Sequence, residues 1–263
     1  MASPLSGTST WSVRCRAQPL WGGPSDQAWA GGSASSFNKW PSLLPEAVEL
    51  HALQLPGRMS RSKEDCLTSV PAIVEGVSEA LVATGLLDKP FALFGHSFGS
   101  LVMFELARKL AADTGRTPVC LIVSGCRPPD MCLGGGRSPQ VSQLPRDALV
   151  DHLIDLGGMP AELRNETELV DYFLPPIRAD YGAFECYRYK PRPGEDCPPI
   201  TCSLVCLGGD DDSGAPRNDL EHWASFTAGE FRMRTFEGGH FFLQGNGEPA
   251  VLGFLSNVMA PLL

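Results

Sequence analysis

One serine of this chain lies at the centre of a short motif that could expose its hydroxyl group for nucleophilic attack. Ser97 is the central residue of Gly95-His96-Ser97-Phe98-Gly99, which has the form G-x-S-x-G. In a nucleophile elbow this motif turns sharply from a strand into a helix and holds the serine hydroxyl above the end of the sheet. The two glycines leave room for the turn and for the close approach of the helix to the strand. Ser97 is therefore predicted to attack a carbonyl carbon.

The residues on either side of the motif make this interpretation specific. A chain with 28 glycines can contain G-x-S-x-G by chance. Here, however, the apolar run Phe91-Ala92-Leu93-Phe94 has the length of a buried parallel strand. Apolar residues at helical spacing follow the motif: Leu101, Phe104, Leu106 and Leu110. The context thus predicts the strand, turn and helix that the elbow requires.

A serine hydroxyl also needs a base, and a histidine base needs a carboxylate to fix its tautomer. His240 is the predicted base, because it follows the last predicted strand on the loop Gly238-Gly239. The remaining histidines have ordinary interpretations as packed or exposed side chains: His51, His96, His152 and His222.

Three consecutive acids compete for the role of the carboxylate. Asp210, Asp211 and Asp212 follow an apolar strand and precede His240, which gives the chain order Ser, Asp, His. Spacing from the strand favours Asp212, and Asp211 stays open as the second candidate. A solvated acidic turn or a cation site is the alternative interpretation of the run.

Strands and helices alternate along most of the chain. The predicted strands are 48–53, 91–94, 119–124, 202–207 and 231–236, and the predicted helices are 66–84, a helix from the elbow to 113, and 249–263. Repeated β-α-β units predict an α/β fold with a mainly parallel central sheet and helices on both faces. The domain is predicted to span residues 29–263.

Residues 142–189 interrupt this alternation with apolar residues at helical separations. Because the block lies between two core strands, it is predicted to form a helical lid over the elbow, at about 138–192, with a pocket for an apolar substrate. An extra helical layer that serves only the core is the alternative.

Composition argues against several functions and bears on the compartment. The net charge of −9 argues against broad binding to nucleic acid or to an anionic membrane, and no stretch is apolar for long enough to cross a bilayer. Nine cysteines without framework spacing favour reduced thiols and a cytoplasmic protein. Residues 1–28 form an atypical segment with Arg14, Arg16 and no acid before Asp26, which fits either disorder or an organelle transit segment.

Residues 30 to about 243 resemble the type II thioesterases of polyketide and nonribosomal peptide synthesis and the medium-chain acyl-acyl-carrier-protein thioesterase of fatty acid synthesis. The resemblance implies an α/β-hydrolase in which Ser97, Asp212 and His240 form the triad and the helical block is a mobile lid. Besides the elbow, the blocks that carry it are Ala30-Gly31-Gly32-Ser33-Ala34, Leu55-Pro56-Gly57-Arg58, Leu156-Gly157-Gly158-Met159-Pro160, Phe173-Leu174-Pro175, Arg178-Ala179-Asp180-Tyr181 and Gly238-Gly239-His240-Phe241-Phe242-Leu243.

The resemblance also implies the substrate, an acyl chain held as a thioester on the phosphopantetheine arm of an acyl carrier protein, and a reaction without metal or organic cofactor. A negatively charged carrier protein would bind preferentially beside positively charged side chains. Any single one of them, however, is more commonly just a solvated surface residue. The candidate cations are Arg58, Arg61, Arg127, Arg188, Lys190 and Arg192.

An oxyanion hole needs two backbone N–H donors. Phe98, the residue after the nucleophile, is the predicted first donor, and the resemblance places the second at Ala30. The chain departs from the family pattern just before Ala30, because residues 22–29 replace an apolar strand that ends in Phe-Pro. The first strand is therefore either displaced, with residues 13–17 as a substitute, or lost.

Together these observations predict a serine thioesterase that releases fatty or polyketide acyl chains from a carrier protein. Two alternatives stay open. One is a carboxylesterase that acts on small oxygen esters. The other is a catalytically impaired protein that binds the carrier, because its first strand and oxyanion hole are damaged.

Overall fold

A six-stranded sheet carries the elbow at the carboxyl end of its third strand. The computed structural model describes residues 13–15, 30–32, 37, 39–132, 140–191 and 199–262. Its strands are β1 (Val13–Cys15), β2 (Val48–Leu50), β3 (Phe91–His96), β4 (Cys120–Ser124), β5 (Ser203–Gly209) and β6 (Phe231–Phe236). They lie in the order β2-β1-β3-β4-β5-β6. Strands β3 to β6 are parallel and β1 is antiparallel to both of its neighbours, so the mainly parallel sheet is confirmed.

The helices of the described residues are α1 (Val70–Ala83), α2 (Phe98–Thr114), α3 (Arg146–Asp155), α4 (Thr167–Cys186), α5 (Arg217–Glu221) and α6 (Glu248–Met259). Helices α1 and α2 pack on one face of the sheet, in a cluster that includes Leu121 and Trp223. Helix α6 packs on the other face with Ile122 and Trp40. Adjacent residues of β4 thus point into opposite cores, as expected for a strand buried on both sides.

Three predicted elements are several residues shorter than the sequence suggested. The terminal helix expected over 249–263 ends at Met259, where the 3-10 helix Ala260–Leu262 follows it. The helix expected over 66–84 begins at Val70, because the Ser69 hydroxyl caps it by accepting the Ala72 N–H at 3.3 Å and a proline occupies its first turn. The strand expected over 48–53 ends at Leu50, because it pairs with β1, which is itself three residues long.

The first strand is displaced toward the N-terminus. Strand β1 lies between β2 and β3, with Val13 opposite both Leu50 and Ala92. It therefore fills the position that residues 22–29 leave open in the sequence pattern. The rest of the segment 1–28, with its predicted disorder or transit signal, lies outside the described residues.

The helical block between β4 and β5 forms a separate layer with its own core. Helices α3 and α4 and the 3-10 helix Ala161–Asn165 make up most of it. Six of its buried residues form a cluster of their own: Leu149, Val150, Leu153, Val170, Leu174 and Ile177. Ala183 of α4 belongs instead to the cluster of α1 and α2. This block is called the lid below; residues 138, 139 and 192 of its predicted range lie outside the described part of the chain.

We expect Gly95→Ala to destabilise the fold by about 3 kcal/mol, because the added methyl group has no space. A Cβ on Gly95 would lie 2.5 Å from the Ser100 nitrogen and closer still to the Gly99 carbonyl, all backbone atoms that cannot move aside. Urea denaturation followed by circular dichroism measures the free energy of unfolding.

Gly76→Ala is the matched control, because a Cβ on Gly76, in the middle of α1, meets no atom within 4 Å. Alanine is the better helix former, so this variant should gain about 0.5–1 kcal/mol. A similar effect of the two substitutions would contradict the close packing described for the elbow.

Candidate active site

Ser97 lies in a strained turn between β3 and α2. Its backbone has φ 52 and ψ −125, a conformation that non-glycine residues rarely adopt. The Ser97 N–H donates to the Ser124 carbonyl at 2.7 Å. Beneath the turn, the buried Ser100 Oγ lies 2.8 Å from the Gly95 carbonyl oxygen and accepts the Ser124 N–H at 2.9 Å. These hydrogen bonds fix the turn to the neighbouring strand, β4.

His240 and Asp212 complete a chain of hydrogen bonds that begins at Ser97. His240 Nε2 lies 2.9 Å from Ser97 Oγ, and His240 Nδ1 lies 2.8 Å from Asp212 Oδ2. Because a carboxylate can only accept, the proton belongs on Nδ1, which leaves Nε2 to accept from the serine hydroxyl. This arrangement can remove the proton from Ser97 as its oxygen attacks an electrophile.

The three consecutive acids differ in their burial and in their hydrogen bonds. Asp212 is 4 % exposed, and its Oδ1 accepts the N–H groups of Gly214 and Ala215 at 2.9 and 3.3 Å. Asp210 and Asp211 are exposed, and their backbone N–H groups donate to the carbonyls of Phe236 and Gly238. The structure therefore brings Asp212 to His240, whereas its neighbours bind the turn to the loop that carries the histidine.

Opposing effects act on the pKa of Asp212. Burial raises the pKa of its carboxyl group, but the hydrogen bond from His240, the charge of His240 and the two backbone N–H groups outweigh it. The pKa of Asp212 lies below its ordinary value of 3.8 as a result. The carboxylate thus stays ionised where it holds the imidazole.

His96 is a buried neighbour of this site that the sequence interpretation left as an ordinary side chain. It has no exposed surface, its Nδ1 lies 2.9 Å from Ser124 Oγ, and its ring lies 5.0 Å from that of His240. Burial, together with the nearby His240, lowers the pKa of His96 well below the ordinary value. His96 therefore stays neutral and adds no charge that would oppose a proton on His240.

The two predicted oxyanion donors are Phe98, which follows Ser97 in the chain, and Ala30, which lines a cavity with Ser97. Phe98 is the first residue of α2, and the first N–H groups of a helix have no acceptor within it. Ala30 belongs to residues 30–32, called the oxyanion turn below, and lines a cavity together with Ser97 and His240. In this turn Gly31 has φ 73, which favours glycine.

The burial of Arg58 contradicts its predicted role as a surface cation that could contact the carrier protein. It is 2 % exposed and forms a buried ion pair with Asp180 of α4, in which the guanidinium binds both carboxylate oxygens. Arg61 and Arg127 pair with Glu64 and Asp219 near the surface. Arg192 lies outside the described residues.

Two cavities meet at Ser97 and His240 beneath the lid. One, of about 200 Å³, is lined mainly by apolar side chains, among them Leu153, Met159 and Phe173. The other, of about 220 Å³, has more polar walls, which include Gln140 and Glu185. The site can thus receive a molecule whose reacting atom joins an apolar part to a polar one.

Two further features are absent from the part of the chain that the structure describes. No group of three or more His, Cys, Asp or Glu side chains there is arranged to hold a metal ion. None of the helices in these described ranges combines the length and apolar character that a bilayer span requires.

Comparison with known proteins adds a family match and close relatives. A family model described as a thioesterase domain matches residues 28–258. The chain is 35 % identical over 215 residues to the gramicidin S biosynthesis protein GrsT of Aneurinibacillus migulanus, covering 82 % of this chain and 80 % of that protein. It is 32 % identical over 216 residues to the medium-chain S-acyl fatty acid synthase thioesterase of Homo sapiens, covering 82 % and 78 %.

A solved structure agrees with these sequence matches. The RedJ thioesterase from the prodiginine biosynthetic pathway of Streptomyces coelicolor superimposes with a TM-score of 0.79 at 31 % identity, covering 91 % of each chain. This likeness and the mainly parallel sheet confirm the α/β-hydrolase fold that the sequence predicts.

We expect Asp212→Asn to lower the free energy of unfolding at neutral pH and to lose this effect in acid. The pKa of Asp212 in the folded protein lies below the ordinary value of 3.8, which applies to the unfolded chain. The ionised carboxylate therefore stabilises the fold above that value, and the contribution disappears as the pH falls through the lower, folded value. Urea unfolding at a series of pH values measures the difference between variant and parent.

Asp211→Asn is the control for this series, because the same chemical change occurs at an exposed side chain. Its difference from the parent should stay small throughout. A difference for Asp212→Asn that does not change with pH would contradict the described contacts of its carboxylate.

Proposed function

This chain belongs to the thioesterase family, and we propose that it hydrolyses the thioester that holds an acyl chain on the phosphopantetheine arm of an acyl carrier protein. The names of its relatives support this substrate, since one serves gramicidin S biosynthesis and another is an S-acyl fatty acid synthase thioesterase. The proposed partner is accordingly the carrier protein of a fatty acid, polyketide or nonribosomal peptide synthase, with the cytoplasm as the proposed compartment.

The observation that carries the proposal is the hydrogen-bonded chain Ser97, His240 and Asp212 at the meeting point of two cavities. We assign Ser97 as the nucleophile, His240 as the general base and acid, and Asp212 as the carboxylate that orients the imidazole. Water activated by His240 alone would need no serine at this place, whereas the strained turn presents the Ser97 hydroxyl to the cavities.

In the first half of the reaction, Ser97 Oγ attacks the thioester carbonyl carbon while His240 Nε2 takes the hydroxyl proton. The N–H groups of Phe98 and Ala30 are proposed to stabilise the negative oxygen of the tetrahedral intermediate. When the intermediate collapses, the carbon–sulfur bond breaks and His240 returns its proton to the sulfur. The carrier protein leaves with a free thiol, and the acyl group stays on Ser97 as an ester.

The second half releases the acyl chain. His240 takes a proton from water, whose oxygen attacks the ester carbonyl. Collapse of this second intermediate returns the proton to Ser97 Oγ and frees the carboxylic acid. Asp212 keeps its negative charge throughout and stabilises the imidazolium each time it forms.

The two cavities suit the two sides of the thioester. The apolar cavity under α3 and α4 suits the acyl chain, whose transfer from water is favourable in proportion to the apolar area buried. The more polar cavity, which includes Gln140 and His152, suits the amide groups of the phosphopantetheine arm. The pairing of β1 with β2 and β3 supports an intact enzyme over the impaired carrier-binding alternative.

Mass spectrometry of the protein with a panel of acyl-carrier-protein thioesters tests this function. We expect chain-selective release of free acid and a transient acyl adduct on Ser97. Ser97→Ala should fold normally, form no adduct and lose at least about 10³-fold in turnover. Matched oxygen esters are assayed beside the thioesters.

Each other outcome points to a specific alternative. Preference for the oxygen esters would favour a carboxylesterase. Neither acid nor adduct from a folded protein would favour a carrier-binding protein without turnover, and full activity of Ser97→Ala would remove Ser97 from the nucleophile role.

We expect Asp212→Asn to reduce kcat by about 10³- to 10⁴-fold, because the amide no longer fixes the tautomer of His240 or stabilises its charge. Asp211→Asn should stay within about threefold of the parent, since its side chain is exposed. Steady-state kinetics on one acyl-carrier thioester measure both variants, and the reverse ranking would assign the acid to Asp211.

A further inference from the structure

We propose that Asp180, in the lid helix α4, is a positioning residue that holds the oxyanion turn in place, so that the oxyanion hole is complete only while α4 is seated on this turn. The inference rests on the proposed function, in which Ala30 of the turn supplies the second donor. It concerns a side chain that does not touch the reacting atoms.

The first support is the hydrogen bond from the turn to the helix. The Gly31 N–H donates to Asp180 Oδ2 at 2.8 Å, across 149 residues of sequence. This N–H belongs to the peptide group that joins Ala30 to Gly31. Fixing that peptide plane leaves only the two backbone torsions of Ala30 between the held group and the Ala30 N–H. The hydrogen bond therefore restricts the direction in which the donor points.

The second support is the way Asp180 itself is held. Arg58 binds Asp180 Oδ2 through one terminal nitrogen at 2.6 Å and Oδ1 through the other at 2.9 Å. Asp180 has no exposed surface, so its charge depends on these partners. A two-point contact with a planar guanidinium fixes the plane of the carboxylate as well as its position. Oδ2 is thus aimed at Gly31 by a rigid group rather than by a mobile side chain.

The third support is steric contact between the same helix and the same turn. A Cβ on Gly31 would overlap the side chain of Ile177, which lies three residues before Asp180 in α4. Residues three apart lie on the same face of a helix. The turn therefore contacts α4 at two points of one face, one apolar and one charged, and a displacement of the helix would remove both contacts.

Through these contacts, the helix that lines the proposed acyl-chain cavity also supports the oxyanion hole. Ile177 lines the apolar cavity proposed for the acyl chain, together with Ala30 and Gly31. Donors stabilise the transition state only when they lie about 2.7–3.1 Å from the developing oxyanion. A small displacement of α4 would thus remove the second donor while Ser97, His240 and Asp212 keep their places. Asp180 would then affect the chemical step more than the binding of the substrate.

Asp180→Ala tests this role in the whole chain with two ligands, because alanine, unlike asparagine, leaves no oxygen that could accept the Gly31 N–H. A trifluoromethyl ketone analogue of the acyl thioester forms a tetrahedral adduct with Ser97 and so needs the oxyanion hole. A thioether analogue with the same acyl chain binds without any oxyanion. We expect kcat and the affinity for the ketone to fall together by about 10²- to 10³-fold, while KM and the affinity for the thioether change by less than about threefold.

Asp171→Ala is the matched control. Asp171 is also a carboxylate of α4 paired with an arginine, Arg146 at 2.6 Å, but it is half exposed and its pair lies on the lid surface. The same chemical change there should leave kcat and both affinities at the values of the parent.

Removing one partner of a buried pair can prevent folding. The double variant Arg58→Gln with Asp180→Ala leaves no unpaired buried charge and takes the place of Asp180→Ala if the single variant does not fold. We expect it to show the same joint loss of kcat and ketone affinity.

The remaining outcomes overturn the proposal. Unchanged kcat and ketone affinity in the folded variant would show that the turn keeps its place without Asp180. An equal loss for the ketone and the thioether would show that the pair only maintains the cavity. Failure of the parent to form the ketone adduct on Ser97 would contradict the nucleophile assignment, and this result separates failure of the proposed function from failure of the positioning role alone.

Discussion

The arrangement of the site depends on a backbone contact at the end of β3, where α2 turns back against the strand. Gly95 has no side chain at the point where the Gly99 carbonyl and the Ser100 nitrogen approach it. Because the helix begins this close to the strand, the Ser97 hydroxyl stands above the sheet instead of between its strands. The positions of its two hydrogen-bonded partners follow from the sheet, because β5 and β6 run parallel to β3 and end at the same edge. Asp212 and His240 follow those two ends.

The lid packs partly apart from the sheet and is partly bound to it. Its own cluster of apolar residues, which includes Leu149 and Leu153, packs most of it as a separate layer, although Ala183 of α4 joins the sheet core. Its helix α4 nevertheless reaches the sheet domain through a buried charge, Asp180, bound to Arg58 from the loop after β2. A layer with an apolar core of its own can shift as a unit, whereas a buried ion pair is strongly favoured in one geometry. The same helix thus forms a wall of the cavity and a support of the oxyanion turn.

Much of this organisation could be read from the sequence, because it is encoded locally. The elbow needs five adjacent residues between a strand and a helix, and Ser97, Asp212 and His240 follow the ends of the parallel strands β3, β5 and β6 in chain order. The structure brings these three side chains together, and their catalytic roles are those proposed here. The ion pair of Arg58 with Asp180 had no comparable signal, since its members are 122 residues apart. An arginine in a loop usually lies at the surface, which is why the sequence favours a surface position for Arg58. Strand β1 was equally difficult to predict, because a strand of three residues is too short to show a recognisable pattern of apolar residues.

The backbone of Ser97 also bears on the evolutionary history of such chains. A side chain at φ 52 and ψ −125 is destabilising by about 1–3 kcal/mol, and glycine would adopt the same turn with little strain. Stability alone thus favours glycine at this position, and selection for turnover is what retains serine. A duplicated gene released from that selection would gain stability by this single replacement. Glycine at the centre of an otherwise preserved elbow would therefore mark a descendant that has kept the fold and abandoned hydrolysis.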